Sequence, residues 1–121
     1  MATTELTASN FEQVVDDNDI VLIDFWADWC GPCHMFAPIY EKASEQHTDL
    51  VFGKVDTEKE QELAGSFGIQ SIPTIAVLRD GVLLFRQAGV LPQDALEDVI
   101  AQVRELDMDE VHRQLAQEQA S

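Results

Sequence analysis

The chain is 121 residues long, the size of one compact domain, and at that length folding buries roughly two-thirds of the unfolded surface. Its 45% hydrophobic and 25% charged residues exclude a disordered chain and supply a core without metal or disulfide staples. Twenty-three acidic residues against seven Lys and Arg give a formal net charge of −16, which excludes nucleic acid and anionic membrane as partners, because phosphate binding needs clustered cations.

The segment Met1-Ala2-Thr3-Thr4-Glu5 has neither the basic start nor the apolar stretch of a secretory signal, and no apolar run is long enough to span a bilayer. A cytoplasmic chain is therefore expected. Ser9-x-x-Glu12 has capping-box spacing, and Phe11, Val14 and Val15 recur at helical intervals, predicting a short helix over about residues 9–17. Ile20 to Trp26 is too continuously apolar for a half-exposed strand and reads as a central strand buried on both faces. After Cys30 and Cys33 a helical pattern carries Met35, Phe36, Ile39, Tyr40 and Ala43, with Pro38 expected to kink it.

Leu50 to Asp56 is a second buried strand, and Glu58 to Ser66 a short helix. Ile75–Arg79, Asp80-Gly81 and Val82–Arg86 predict a hairpin, since Asp-Gly suits a tight primed turn. From Pro92 onward Leu96, Val99, Ile100, Val103 and Leu106 repeat at helical spacing, and Met108, Val111 and Leu115 continue as a short amphipathic helix. The order βαβ, hairpin, helix gives one α/β domain with a mixed sheet, residues 1–106, followed by a helical C-terminal extension, residues 107–121.

The only cysteines, Cys30 and Cys33, stand three apart, and a disulfide closing so small a loop stabilises the fold little. Three chemistries use this spacing. In thiol–disulfide exchange, Cys30 at a helix entrance gains thiolate character from unpaired backbone N–H groups and the helix dipole, and Cys33, one turn on, resolves a mixed disulfide. Gly31 admits close substrate approach and Pro32 fits an early helix position. A zinc site would have to draw its remaining ligands from His34, His47 and His112, without a second pair at the right spacing. Covalent haem attachment matches Cys30-Gly31-Pro32-Cys33-His34, but the chain offers no obvious haem pocket. Redox exchange is favoured, with no metal and no cofactor.

Asp24 to Cys33, then Pro38, Lys54, Gly68-Ile69, Ile72-Pro73-Thr74 and Gly89 match the pattern of the thioredoxin family in order and spacing. The resemblance covers about residues 5–106 and implies a thioredoxin fold, a central mixed β-sheet flanked by helices. It also implies a general protein disulfide reductase, a thiol–disulfide oxidoreductase regenerated by an NADPH-dependent flavoprotein, thioredoxin reductase, and itself free of bound cofactor. Competing functions are a thioredoxin-fold oxidase or isomerase, and a non-catalytic binding subunit. Nothing in the sequence demands more than a monomer.

Asp24 is an acid within an apolar run, where desolvation raises its pKa, and it is assigned as the general base that activates Cys33. The competing reading is a hydrogen-bonded structural Asp. Lys54 resembles the family's partner of this acid; the alternative is a strand-end lysine reaching water. Pro73 matches the family's cis-proline, so that Ile72 would present its N–H and C=O to an extended substrate, against a plain trans turn proline. Trp29, Gly31, Pro32, Ile72, Pro73 and Gly89 are expected to form a shallow apolar groove around Cys30, with Trp26 packed beneath as core. His34, where many family members carry a lysine, is read as an exposed helix residue of little effect; the alternative is an imidazolium that assists the thiolate.

Overall fold

A computed structural model describes residues 2–120; Met1 and Ser121, the outer ends of the expected domain and tail, lie outside the described residues. The strands are β1 (Thr3–Glu5), β2 (Ile20–Trp26), β3 (Val51–Asp56), β4 (Thr74–Arg79) and β5 (Val82–Ala88). The helices are α1 (Phe11–Asp17), α2 (Gly31–Gln46), α3 (Gln61–Ser66), α4 (Gln93–Glu105) and α5 (Met108–Ala120). They build one mixed sheet in the order β1-β3-β2-β4-β5, parallel across β1, β3 and β2 and antiparallel across β2, β4 and β5.

The continuous apolar run of β2 follows from its central place. Alternate side chains leave opposite faces of a strand, so both faces must be apolar where both are covered. Ile20 and Leu22 join the core formed with Phe36, Tyr40 and Ala43 of α2 and Leu96, Ile100 and Val103 of α4. Val21, Ile23 and Phe25 join the opposite core with Val55, Ala64 and Leu78, closed by Phe11, Val14 and Phe67. By the same alternation Asp24 lies on the α2 side of the sheet. In the β4–β5 hairpin both Asp80 (φ 53°) and Gly81 (φ 76°) are left-handed, the two-residue primed turn that Asp-Gly predicts.

One element was not anticipated and one expectation needs correction. β1 is not legible as a strand: Thr3-Thr4-Glu5 lacks an apolar residue, and the next residue, Leu6, anchors it. Leu6 is wholly buried and its N–H donates to Lys54 O at 2.8 Å. Space for Leu6 exists because position 53 is glycine; a Cβ there would stand 2.8 Å from Leu6 Cγ and 3.2 Å from Leu22 O. The Ser9–Glu12 capping box does not form either. Asn10 is the N-cap residue, and its Oδ1 accepts from Thr7 N at 2.8 Å while Ser9 Oγ turns to Thr7 Oγ1 at 2.9 Å. Helix α2 runs on through Pro38 to Gln46.

Arg79, the last residue of β4, donates Nη1 to the carbonyls of Val103, Arg104 and Leu106 at 2.7, 3.2 and 3.2 Å. These are carbonyls that the end of α4 leaves unpaired, so a cation caps the negative end of the helix dipole. Helix α5 begins at once beyond this cap. Met108 is buried, Val111 and Leu115 are half-buried, and His112 Nε2 lies 3.5 Å from Asp80 Oδ2 in the hairpin turn. The tail's apolar stripe is therefore its least exposed face.

Gly53→Ala is expected to lower the unfolding free energy by about 1–3 kcal/mol, the usual cost of overpacking a filled core. Urea denaturation measures this; wild-type stability in the variant would show that Leu6 yields freely.

Candidate functional site

The end of β2 delivers the chain through Ala27-Asp28-Trp29 into α2, and Cys30 is the N-cap residue of that helix. Cys30 and Cys33 form a disulfide with Cα atoms 5.3 Å apart. The backbone N–H of Cys33 donates to Cys30 Sγ at 3.2 Å, one of the N–H groups that a helix start leaves without a backbone acceptor. That donor, together with the positive end of the dipole, stabilises negative charge on Cys30 once the disulfide is opened. Both cysteines are almost closed off, at 3% and 2% exposure, so a reaction partner reaches either sulfur only by close apposition.

Asp24 is fully buried, and neither carboxylate oxygen has a hydrogen-bond partner among the described residues. Burial raises its pKa from 3.8 to about 7, partly offset by the positive charge of Lys54. Lys54 faces Asp24 across the β2–β3 register but does not bond it; its Nζ lies 4.9 Å from the centroid of the Trp26 ring. The expected partner is thus a through-space charge. Trp26 is only half-buried beneath it rather than packed in the core, and it lines a polar cavity of about 440 Å³ with Glu5, Asp28, Glu41, Lys54, Asp56 and Lys59. Tyr40 of α2 is fully buried and donates its hydroxyl to Gly53 O at 2.7 Å; burial, then the charge of Asp24, raises its pKa.

The Ile72–Pro73 bond is cis. The carbonyl oxygen of Ile72 lies 3.7 Å from Cys30 Sγ, which places this backbone directly against the disulfide. Gly89 donates its N–H to Pro73 O at 2.8 Å and has φ 100°, a conformation open to glycine, so it packs its backbone behind the proline. Cys30, Ile72, Pro73 and Gly89 are therefore joined in one chain of contacts. Trp29 is 69% exposed, with its Nε1 donating to Glu58 Oε1 at 2.6 Å. Gly31 and Pro32 are exposed at the first turn of α2.

The groove only partly matches the sequence reading. A cavity of about 540 Å³ has Trp29 and Ile72 in its wall but extends to Thr57, Gln61, Ala64, Gly65, Ile69, Gln70 and Ser71; Gly31, Pro32, Pro73 and Gly89 do not line it. The α3 wall escapes sequence reasoning because Gln61, Ala64 and Gly65 are chemically plain, although their spacing puts them on one helix face. His34 is an exposed residue of α2, as expected, and its ring Nε2 is hydrogen-bonded to Asp28 O at 2.7 Å. Among the described residues no group of three or more His, Cys, Asp or Glu could hold a metal, and no helix is long and apolar enough to cross a membrane.

Comparison with known proteins accords with this geometry. The thioredoxin family model matches residues 2–102. A putative thioredoxin 2 of Streptomyces coelicolor is 60% identical over 119 residues, covering 98% of this chain and 89% of its own. The thioredoxin of Bacillus subtilis is 40% identical over 101 residues, 83% of this chain and 96% of its own. Among solved structures, a mutant thioredoxin from Halobacterium salinarum superposes with a TM-score of 0.80 at 38% identity, covering 87% of this chain and 93% of that one. With a mixed five-stranded sheet and a Cys30–Cys33 disulfide at the head of α2, the chain belongs to the thioredoxin family and is a thiol–disulfide oxidoreductase with disulfide reductase function.

Proposed function

We propose that this chain is a general reductant of protein disulfides in the cytoplasm, serving electron transport and redox homeostasis as a monomer. The observation that carries the reading is the disulfide at the start of α2 with an N–H donated to Cys30 Sγ. In the reduced protein the Cys30 thiolate attacks one sulfur of the substrate disulfide. An S–S bond breaks, an S–S bond forms to Cys30, and one substrate thiolate leaves and takes up a proton. Cys33 then loses its proton to Asp24 and attacks the Cys30 sulfur, expelling the second substrate thiolate. Two electrons have passed to the substrate, and Cys30–Cys33 is again a disulfide. An NADPH-dependent flavoprotein of the thioredoxin reductase type restores the dithiol.

Asp24 suits its role because burial brings its pKa to about 7, near the pH at which it must accept and release a proton. Lys54 limits the rise by its charge. Trp29, Gly31, Pro32, Ile72, Pro73 and Gly89 receive the substrate, with Ile72 offering backbone groups to an extended segment. Residues 1–106 constitute the reductase domain, and residues 107–121 are an extension outside the chemistry. The family match ending at residue 102 supports that division.

Replacing the cysteines separates the two steps. Cys30→Ser should reduce turnover with insulin as the substrate to the uncatalysed background. Cys33→Ser should instead accumulate a covalent mixed disulfide, visible on a non-reducing gel and released by dithiothreitol. Equal trapping by both variants would contradict the assignment of attacker and resolver.

The second test is pH. Resolution requires ionised Asp24, so its rate should rise with pH through about 7. Asp24→Asn should lower that rate about a hundredfold at neutral pH and remove the limb near 7, leaving only the thiol's own ionisation. Rapid-mixing measurement of mixed-disulfide decay provides the profile; an unchanged limb in the variant would remove Asp24 from the mechanism.

A further inference from the structure

The geometry points to His34 as a positioning residue for protein-disulfide substrates, acting through Trp29. The His34 side chain holds the carbonyl just before that tryptophan, and its backbone makes the first hydrogen bond of α2 just after it. Its ring Nε2 reaches Asp28 O at 2.7 Å, and its backbone N–H donates to Cys30 O at 3.3 Å. A carbonyl can only accept, so Nε2 carries the proton, and both the neutral Nε2–H tautomer and the imidazolium can make the bond. From the opposite side Glu58 accepts from the indole Nε1 at 2.6 Å. The loop and the ring are thus tied to α2 and to the segment after β3.

These ties matter because packing does not hold the indole. Trp29 is 69% exposed, and an apolar ring in that position would sample several rotamers if its backbone were free. Ordering a side chain when a partner binds costs about 0.5–1.5 kcal/mol, so a loop fixed beforehand binds more tightly without any new contact. The same residue forms one wall of the 540 Å³ cavity beside Ile72, so its orientation shapes the surface a folded substrate meets. No hydrogen bond of the His34 ring reaches either sulfur among the described residues, and the Cys33 N–H reaches Cys30 Sγ independently of it. His34 therefore governs binding of large substrates rather than exchange at sulfur. The inference rests on the reading above that Trp29 belongs to the substrate surface.

The experiment compares wild type, His34→Ala and His34→Gln with insulin and with a small aromatic disulfide, 5,5′-dithiobis(2-nitrobenzoate). In parallel, 15N relaxation of the Trp29 indole reads its order in the full chain. His34→Ala should raise KM for insulin about three- to tenfold with kcat within about twofold, the effect of losing one hydrogen bond. The small disulfide should react within about twofold of the wild-type rate, and the indole should become more mobile. His34→Gln, which restores an N–H donor, should recover most of the KM and the order.

An unchanged KM with an unchanged indole would overturn the inference, as would an equal loss on both disulfides, which would place His34 in the chemistry. Wild-type protein that reduced neither substrate would instead sink the proposed function. The indole relaxation would still decide whether His34 holds Trp29.

Discussion

A carboxyl group buried in the centre of the sheet, with no hydrogen-bond partner among the described residues, is the constraint around which this molecule is arranged. Asp24 sits on the most enclosed strand, with both oxygens unpartnered and the charge of Lys54 acting on it at a distance rather than in contact. A structural Asp in that position would be expected to collect hydrogen bonds, because a buried polar group left unpaired is costly. Desolvation brings the pKa of Asp24 to about 7, which supports the proton-acceptor role proposed for it.

The neighbouring features are consistent with that constraint. Alternation along β2 puts Asp24 on the face covered by α2, the helix that carries Cys33. The Lys54 ammonium is drawn over Trp26 by its π face, which keeps the cation near the acid without a direct ion pair that would pull the carboxyl pKa down further. At the other end of the site the requirements are steric. Ile72, Pro73 and Gly89 bring backbone, not side chain, against Cys30, and Trp29 stands out from the surface under hydrogen-bond control.

Much of this could be read from the amino acids. β2, the Asp-Gly hairpin and α4 were legible because burial on both faces, a left-handed turn and a 3.6-residue repeat each leave a local pattern. The redox role of the cysteine pair was readable from spacing and helix-start chemistry, whereas the cis Ile72–Pro73 bond followed from resemblance to a family rather than from periodicity. What escaped was set by tertiary contact. β1 depends on Leu6 entering the space above Gly53, which lies on a strand far along the chain. Helix α1 starts after Asn10 without a side-chain cap, because the Asn10 and Ser9 side chains bond within the preceding turn to Thr7. The α3 wall of the cavity and the ring bond of His34 involve residue types that occur on any solvated helix, so only the folded arrangement distinguishes them.

The fold tolerates a stability cost at Asp24. Its carboxyl has a pKa of about 7 when folded and about 3.8 when unfolded, so between these values the folded state holds more protons. Stability from this group is therefore fully present below about pH 4, falls as pH rises towards 7, and is level above that. At about 1.36 kcal/mol per pH unit over about three units, the loss is about 4 kcal/mol. The most direct test is the unfolding free energy of oxidised wild type and Asp24→Asn from about pH 4 to about pH 9. The variant's advantage should grow by several kcal/mol between about pH 4 and about pH 7 and then stay constant. A difference between the two proteins that does not change with pH would contradict it.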